Sequence, residues 1–121
     1  MFICIDFDGT IVDHRYPDIG QPVPGALECM KDLIATGAKL ILFTMRSDEQ
    51  LAQAVEYLES NGVTLFGVNT NPRQKTWTQS PKAYGQLYID DAAFGCPLVS
   101  VPGFARPCVD WSEVRKHLLE G

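Results

Sequence analysis

The sequence lacks most of the features that assign a chain to a functional class before any motif is read. It has no apolar run approaching the length of a membrane span. No charged region and apolar core of a secretory signal precede its first strand-like segment, so a cytoplasmic location is expected. Positive charge is scarce. Ten Lys and Arg stand against 15 Asp and Glu, and the net charge of −5 argues against broad binding to a phosphate backbone. Neither nucleic acid nor membrane is therefore an expected partner. Cys4, Cys29, Cys96 and Cys108 match neither a zinc spacing nor C-x-x-C and read as reduced structural thiols. No repeat, linker or low-complexity tract divides the 121 residues, which predicts a single domain over 1–121 whose own loops must build any active site.

What the chain does have is an alternation of apolar strand-like runs and amphipathic helical segments. The first run, residues 2–5, ends abruptly in Asp6-Phe7-Asp8-Gly9-Thr10. Residues 11–23 are rich in turn formers and read as a loop or small hairpin carrying His14, Arg15 and Tyr16. Pro24 suits the first turn of a helix carrying Leu27, Met30, Leu33 and Ile34, which Gly37 stops. A second strand over 38–43 leads into Thr44-Met45-Arg46, and Ser47 with Gln50 forms a capping box for the next helix, which carries Leu51, Val55 and Leu58. A short strand is expected around 64–66, a long unstructured connection over 69–82, a fourth strand over 86–89 running into Asp90-Asp91, and a fifth over 98–101. Asp110 with Glu113 caps a last helix holding Trp111, Val114 and Leu118. This order predicts a Rossmann-like, doubly wound parallel α/β sheet of about five strands with flanking helices, whose ligand site lies at the carboxyl ends of the strands.

The polar clusters fall at those ends. A regular strand points Asp6 and Asp8 the same way, and two adjacent carboxylates repel unless a cation sits between them or one is protonated. Four carboxylates, Asp6, Asp8, Asp90 and Asp91, call for a hard divalent cation, and oxygen-only ligands favour Mg²⁺ over zinc. With a lysine, a hydroxyl and a glycine turn, such a pocket suits phosphoryl transfer through an aspartyl phosphate.

These motifs resemble the haloacid dehalogenase-like superfamily, whose phosphatases carry Asp-x-Asp-Gly-Thr, a Thr or Ser after the second strand, a Lys, and a final acidic pair, in that order. The resemblance covers about residues 2–101. It implies that Asp6 is the nucleophile and Asp8 the general acid and base, that Thr44 binds phosphoryl oxygens, and that Lys82 holds nucleophile and phosphate. It further implies that Asp90 ligates Mg²⁺ beside Asp6 and the backbone carbonyl of Asp8, while Asp91 orients waters or Lys82. Backbone N–H groups around Asp8, Gly9 and Thr10 would hold the phosphate. Neither gap is long enough for a cap domain, so the resemblance is to the capless branch. Arg46 reads either as a contact to a second substrate group or as a solvated arginine at a helix start. Arg73, Lys75 and Trp77 gather cations and an aromatic on the long loop, there to meet a substrate or to pack the loop down.

The expected activity is hydrolysis of a small phosphomonoester, a sugar phosphate or a nucleotide, with a second copy of the chain as a conceivable lid. A polynucleotide end phosphatase is the rival within enzymes. A receiver-like phosphoacceptor and an inactive binding module are the rivals outside them. A receiver, however, carries its adjacent acidic pair after the first strand, whereas here it follows the fourth.

Overall fold

The computed structural model describes residues 1–121. Strands β1 (Phe2–Ile5), β2 (Lys39–Leu42), β3 (Gly67–Val68) and β4 (Leu87–Ile89) form one parallel sheet in the order β3-β2-β1-β4. Helix α1 (Ala26–Ala35) links β1 to β2, and α2 (Asp48–Ser60) links β2 to β3. The winding then reverses, so that β4 pairs with the opposite edge of β1, matching Ile3 to Leu87 and Ile5 to Ile89. The reversal between β1 and β4 is the topological switch point, where the two directions of winding leave a crevice at the strand ends.

Strand alternation divides the apolar residues between two faces. Ile3, Ile5, Leu40, Leu42 and Ile89 face the main core and meet Met30 and Leu33 of α1, Ala54 and Leu58 of α2, and Trp111 and Val114 of α3 (Trp111–Arg115). Cys4 and Ile41 face the other way, with Phe2, Phe43, Phe66 and Tyr88 around them. No α-helix covers that second face. Residues 71–86 lie over it, including a 3₁₀ helix, Pro72–Thr76. The long connection is thus a structural cover: of the helices flanking the sheet, the α-helices lie on one face and the 3₁₀ helix on the other.

Buried amides explain how an irregular segment can take that place. Gln74 donates from Nε2 to the Ser80 and Lys82 carbonyls at 3.1 and 2.9 Å and accepts from the Tyr84 N–H at 2.8 Å. Asn71 accepts from the Arg73 N–H and donates to the Tyr84 carbonyl. These bonds satisfy backbone groups that a helix would have satisfied internally.

Four further expectations change in detail. The fifth strand does not join the sheet: β5 (Leu98–Val99) pairs antiparallel with β6 (Cys108–Val109) in a separate ribbon. Too few residues separate β4 from β5 for the crossover of a dozen or more that a parallel neighbour needs. The third strand forms later than expected, over Gly67–Val68. Helix α1 begins at Ala26, after Gly25 in the left-handed region, which leaves Pro24 outside it. Ser47 stands at the N-cap of α2 but makes no side-chain capping bond, because the backbone takes a left-handed step at Asp48. The cap at Asp110 does form, its carboxylate accepting from the Ser112 and Glu113 N–H groups, and α3 continues into a π-helical turn over Lys116–Glu120.

Replacing Gln74 by Leu should therefore orphan backbone groups beneath the second face and lower unfolding stability by about 1–3 kcal/mol. Burial pushes the Cys4 thiol up to about 11, and its Sγ lies 3.8 Å from the Ala83 carbonyl. Loosening the cover should accordingly speed alkylation of Cys4 under native conditions. Unchanged stability and unchanged Cys4 labelling in Gln74→Leu would show that the amide does not hold the cover in place.

Candidate active site

Adjacent parallel strands bring their carboxyl ends side by side, and here both ends are acidic. The Asp6 N–H donates to the Ile89 carbonyl at 3.0 Å, which sets Asp6 directly beside Asp90 and Asp91. One carboxylate oxygen from each of Asp6, Asp90 and Asp91 lies within 4.8 Å of the others. With Asp8, His14, Thr44 and Arg106 they line a cleft of about 460 Å³. The Asp8 side chain stands outside the three-carboxylate group.

Thr10 ties the two strand ends together. Its fully buried hydroxyl lies 3.3 Å from Asp6 Oδ2 and 3.4 Å from Asp91 Oδ1, and it accepts from the Asp91 N–H at 3.1 Å. Its carbonyl accepts from Trp111 Nε1–H at 2.6 Å, which anchors the backbone of the acidic loop to α3. The Gly9 and Thr10 N–H groups, expected to face a phosphate, are already used: Gly9 donates to Val12 and Thr10 to Phe7. Gly9 serves a different purpose. It has φ +83°, and a Cβ there would collide with His14 Nε2 and Asp91 Oδ2. The absent side chain lets those two groups meet at 2.9 Å.

Arg46 is neither solvated nor free for substrate. Its side chain is 1% exposed and grips Asp8 with two bonds of 2.8 Å, Nε to Oδ2 and Nη2 to Oδ1. Its remaining donors go to the Pro17, Asp18 and Gln50 carbonyls, so all five N–H groups are spent. The guanidinium also stacks between Phe7 and Tyr16. Thr44, by contrast, faces the cleft: its N–H donates to Asn69 Oδ1, its Oγ1 accepts from the Arg46 N–H, and its own O–H remains free to donate.

The other expected cations lie elsewhere. Lys82 is exposed, with Nζ 5.4 Å from the Tyr88 ring on the second face of the sheet, and lines a separate hollow with Trp77 and Tyr84. Arg73 stacks on Phe2 and Phe66, and Trp77 packs edge-on to Tyr84, which itself packs on Phe2. Phe2 begins β1, four residues and roughly 13 Å before Asp6 at the usual rise per strand residue. Lys75 lines only a polar hollow of the cover. None of these four residues borders the acidic cleft, because the segment that carries them is committed to the second face.

A solved structure, that of a conserved protein coded by a locus of Bacteroides thetaiotaomicron, is 35% identical to this chain with a TM-score of 0.81; the match covers 99% of this chain and 90% of that one. The chain belongs to the family of that conserved Bacteroides protein. No protein-family model matches it, and no curated protein does.

In this member of the family, three site-bordering residues escape sequence reasoning in different degrees. Asn69, left-handed at φ +56°, holds the Thr44 backbone from a neighbouring strand end. His14 comes from the 11–23 loop, and Arg106 comes from the loop joining β5 to β6. The buried carboxylate of Asp13 brings those two loops together, accepting from the His14 N–H, the Ala105 N–H and Arg15. No periodicity marks such a loop contact. The one available signal is that Asp13 directly follows the apolar pair Ile11-Val12.

Burial and the neighbouring Asp90 and Asp91 push the Asp6 carboxyl up to about 8, against the Phe7 N–H, which lowers it. A folded-state value above the unfolded one means that the folded protein holds the extra proton between about pH 4 and 8. Stability measured in chelator should therefore fall as pH rises through that window. Asp6→Asn should flatten this dependence in thermal melts taken in chelator. An equal pH slope in both proteins would remove Asp6 as its source.

Proposed function

We propose that this chain is a Mg²⁺-dependent phosphatase of the haloacid dehalogenase-like kind, acting on a small phosphomonoester through a phosphorylated Asp6. The observation that carries the reading is the convergence of Asp6, Asp90 and Asp91 within 4.8 Å at the switch point, with Asp8 and Thr44 on the same cleft. The three acids are crowded together where burial disfavours an uncompensated charge, and the donor set is oxygen only. Those properties fit a hard divalent cation, which Asp6, Asp90 and Asp91 would hold together with the Asp8 carbonyl. When bound, Mg²⁺ offsets charge on the carboxylates and on the phosphoryl oxygens.

The chain's own groups then divide the work. An Asp6 oxygen attacks phosphorus, the bond from phosphorus to the ester oxygen breaks, and Asp8 gives that oxygen its proton. Water next attacks the aspartyl phosphate, Asp8 takes the water's proton, and inorganic phosphate leaves with Asp6 restored. Arg46 fixes the Asp8 carboxyl in a single orientation toward the cleft, since both oxygens are tethered from behind. The free Thr44 hydroxyl donates to a phosphoryl oxygen. The haloacid dehalogenase-like pattern normally assigns a lysine to that phosphate, and Lys82 does not reach the cleft in this arrangement.

Asp6→Asn should lose at least about a hundredfold in Mg²⁺-dependent turnover of an aryl phosphate, more than roughly 2.7 kcal/mol of barrier, while its melt stays cooperative. Asp8→Asn should cost about 10² to 10⁴ in rate with Mg²⁺ affinity retained. Activity surviving in Asp6→Asn would end the assignment of the nucleophile. Loss of Mg²⁺ affinity in Asp8→Asn would make its side chain a ligand instead.

A further inference from the structure

We infer that Arg106, rather than Lys82, is the cation that grips the substrate's phosphoryl group, so that the loop between β5 and β6 closes the phosphate site. The inference rests on the phosphatase proposal and adds a residue that the sequence motifs do not point to. A cation is required for a simple reason of charge. With all three carboxylates ionised, a divalent ion leaves the cluster negative, and a phosphomonoester brings about −1.5 to −2 more. Of the chain's Lys and Arg side chains, Arg106 alone lines the cleft. Arg46 stands behind Asp8 with every donor spent, and Lys82, Arg73 and Lys75 lie over the second face or at its margin.

The position of Arg106 is built rather than incidental. Its Nη2 lies 2.8 Å from His14 Nδ1 and 3.1 Å from His14 Nε2, and His14 Nε2 in turn meets Asp91 Oδ2 at 2.9 Å. An ionised Asp91 can only accept, so Nε2 carries the hydrogen that it gives to Asp91, and Arg106 lies against the same ring. A chain of contacts thus runs from the acid cluster through a histidine to the arginine. Asp13 fixes the backbone of its histidine and arginine members: its carboxylate, 2% exposed, accepts from the N–H of His14 and from that of Ala105, next to Arg106. Arg15 adds a third strut, donating to the Gly103 carbonyl. Arg106 pairs with no carboxylate, and its Nε and Nη1 donors meet no protein acceptor. Those N–H groups are left to donate to phosphoryl oxygens, anions that arginine binds well.

The test measures binding of inorganic phosphate by titration calorimetry in saturating Mg²⁺, alongside hydrolysis of an aryl phosphate. Arg106→Ala should weaken phosphate binding about tenfold or more and lower kcat/KM similarly, with Mg²⁺ affinity within about twofold of the parent. Arg106→Lys, which keeps the charge but loses the fork, should fall between them. Lys82→Ala should bind phosphate as the parent does. Phosphate affinity unchanged in Arg106→Ala, or lost in Lys82→Ala instead, would overturn the inference, as would a parent protein that binds no phosphate. If the parent binds phosphate through Arg106 yet hydrolyses no phosphomonoester, the anion site stands and the phosphatase proposal fails. If Arg106→Ala hydrolyses the ester and binds phosphate as the parent does, the phosphatase proposal stands and Arg106 is not its phosphate cation.

Discussion

Like charges forced together at the reversal of strand order are the constraint on which the rest of the structure depends. Nothing in the packing of β1 against β4 requires acids at their ends, yet Asp6, Asp90 and Asp91 meet there within 4.8 Å. Burial makes the repulsion worse, because it removes the water that would screen it, and Asp6 responds by holding its proton far above the usual carboxylate range. The fold offsets part of this cost locally. Thr10 places a hydroxyl between two of the carboxylates, and His14 brings a ring N–H to the other oxygen of Asp91. In the proposed chemistry a bound cation offsets the remainder.

A second theme is the use of buried polar side chains where regular structure is missing. Thr10, Asp13, Arg46, Asn71 and Gln74 are the buried polar residues, and all five stand outside the α-helices and strands. Every buried side-chain donor and acceptor finds a partner. Asp13 and Arg46 tie the 11–23 loop to its neighbours on the site side, while Asn71 and Gln74 shape the cover on the second face. Such groups are costly to bury and costlier to orphan, so they fix one loop conformation where apolar contacts alone would permit several. The precision of the cleft rests on this, since its lining side chains come from separate loops far apart in the chain.

How much of this was legible in the sequence follows from range. The strands β1, β2 and β4 and the amphipathic stripes of α1 and α2 were readable, because each is a local apolar pattern and its period survives in the structure. The clustering of Asp6, Asp8, Thr44, Asp90 and Asp91 followed from placing those residues at strand ends. Arg46 was ambiguous because the partner that buries it, Asp8, lies 38 positions away. The loop 69–82 was misplaced toward the cleft: its cations and Trp77 looked like a binding rim, and only the shortage of a helix for the second face shows what the segment must cover. Arg106 carried no local signal at all. Its place depends on Asp13 joining loops 92 residues apart, and on a short β5–β6 ribbon where a fifth sheet strand was expected.

The central claim is that Asp6 is phosphorylated during turnover, and borohydride trapping tests it most directly. Protein quenched during hydrolysis of an aryl phosphate in Mg²⁺, then reduced and mapped by peptide mass spectrometry, should show Asp6 converted to homoserine, with no conversion when Mg²⁺ is withheld. Conversion of Asp8, Asp90 or Asp91 in its place, or hydrolysis proceeding with Asp6 unlabelled, would contradict the account.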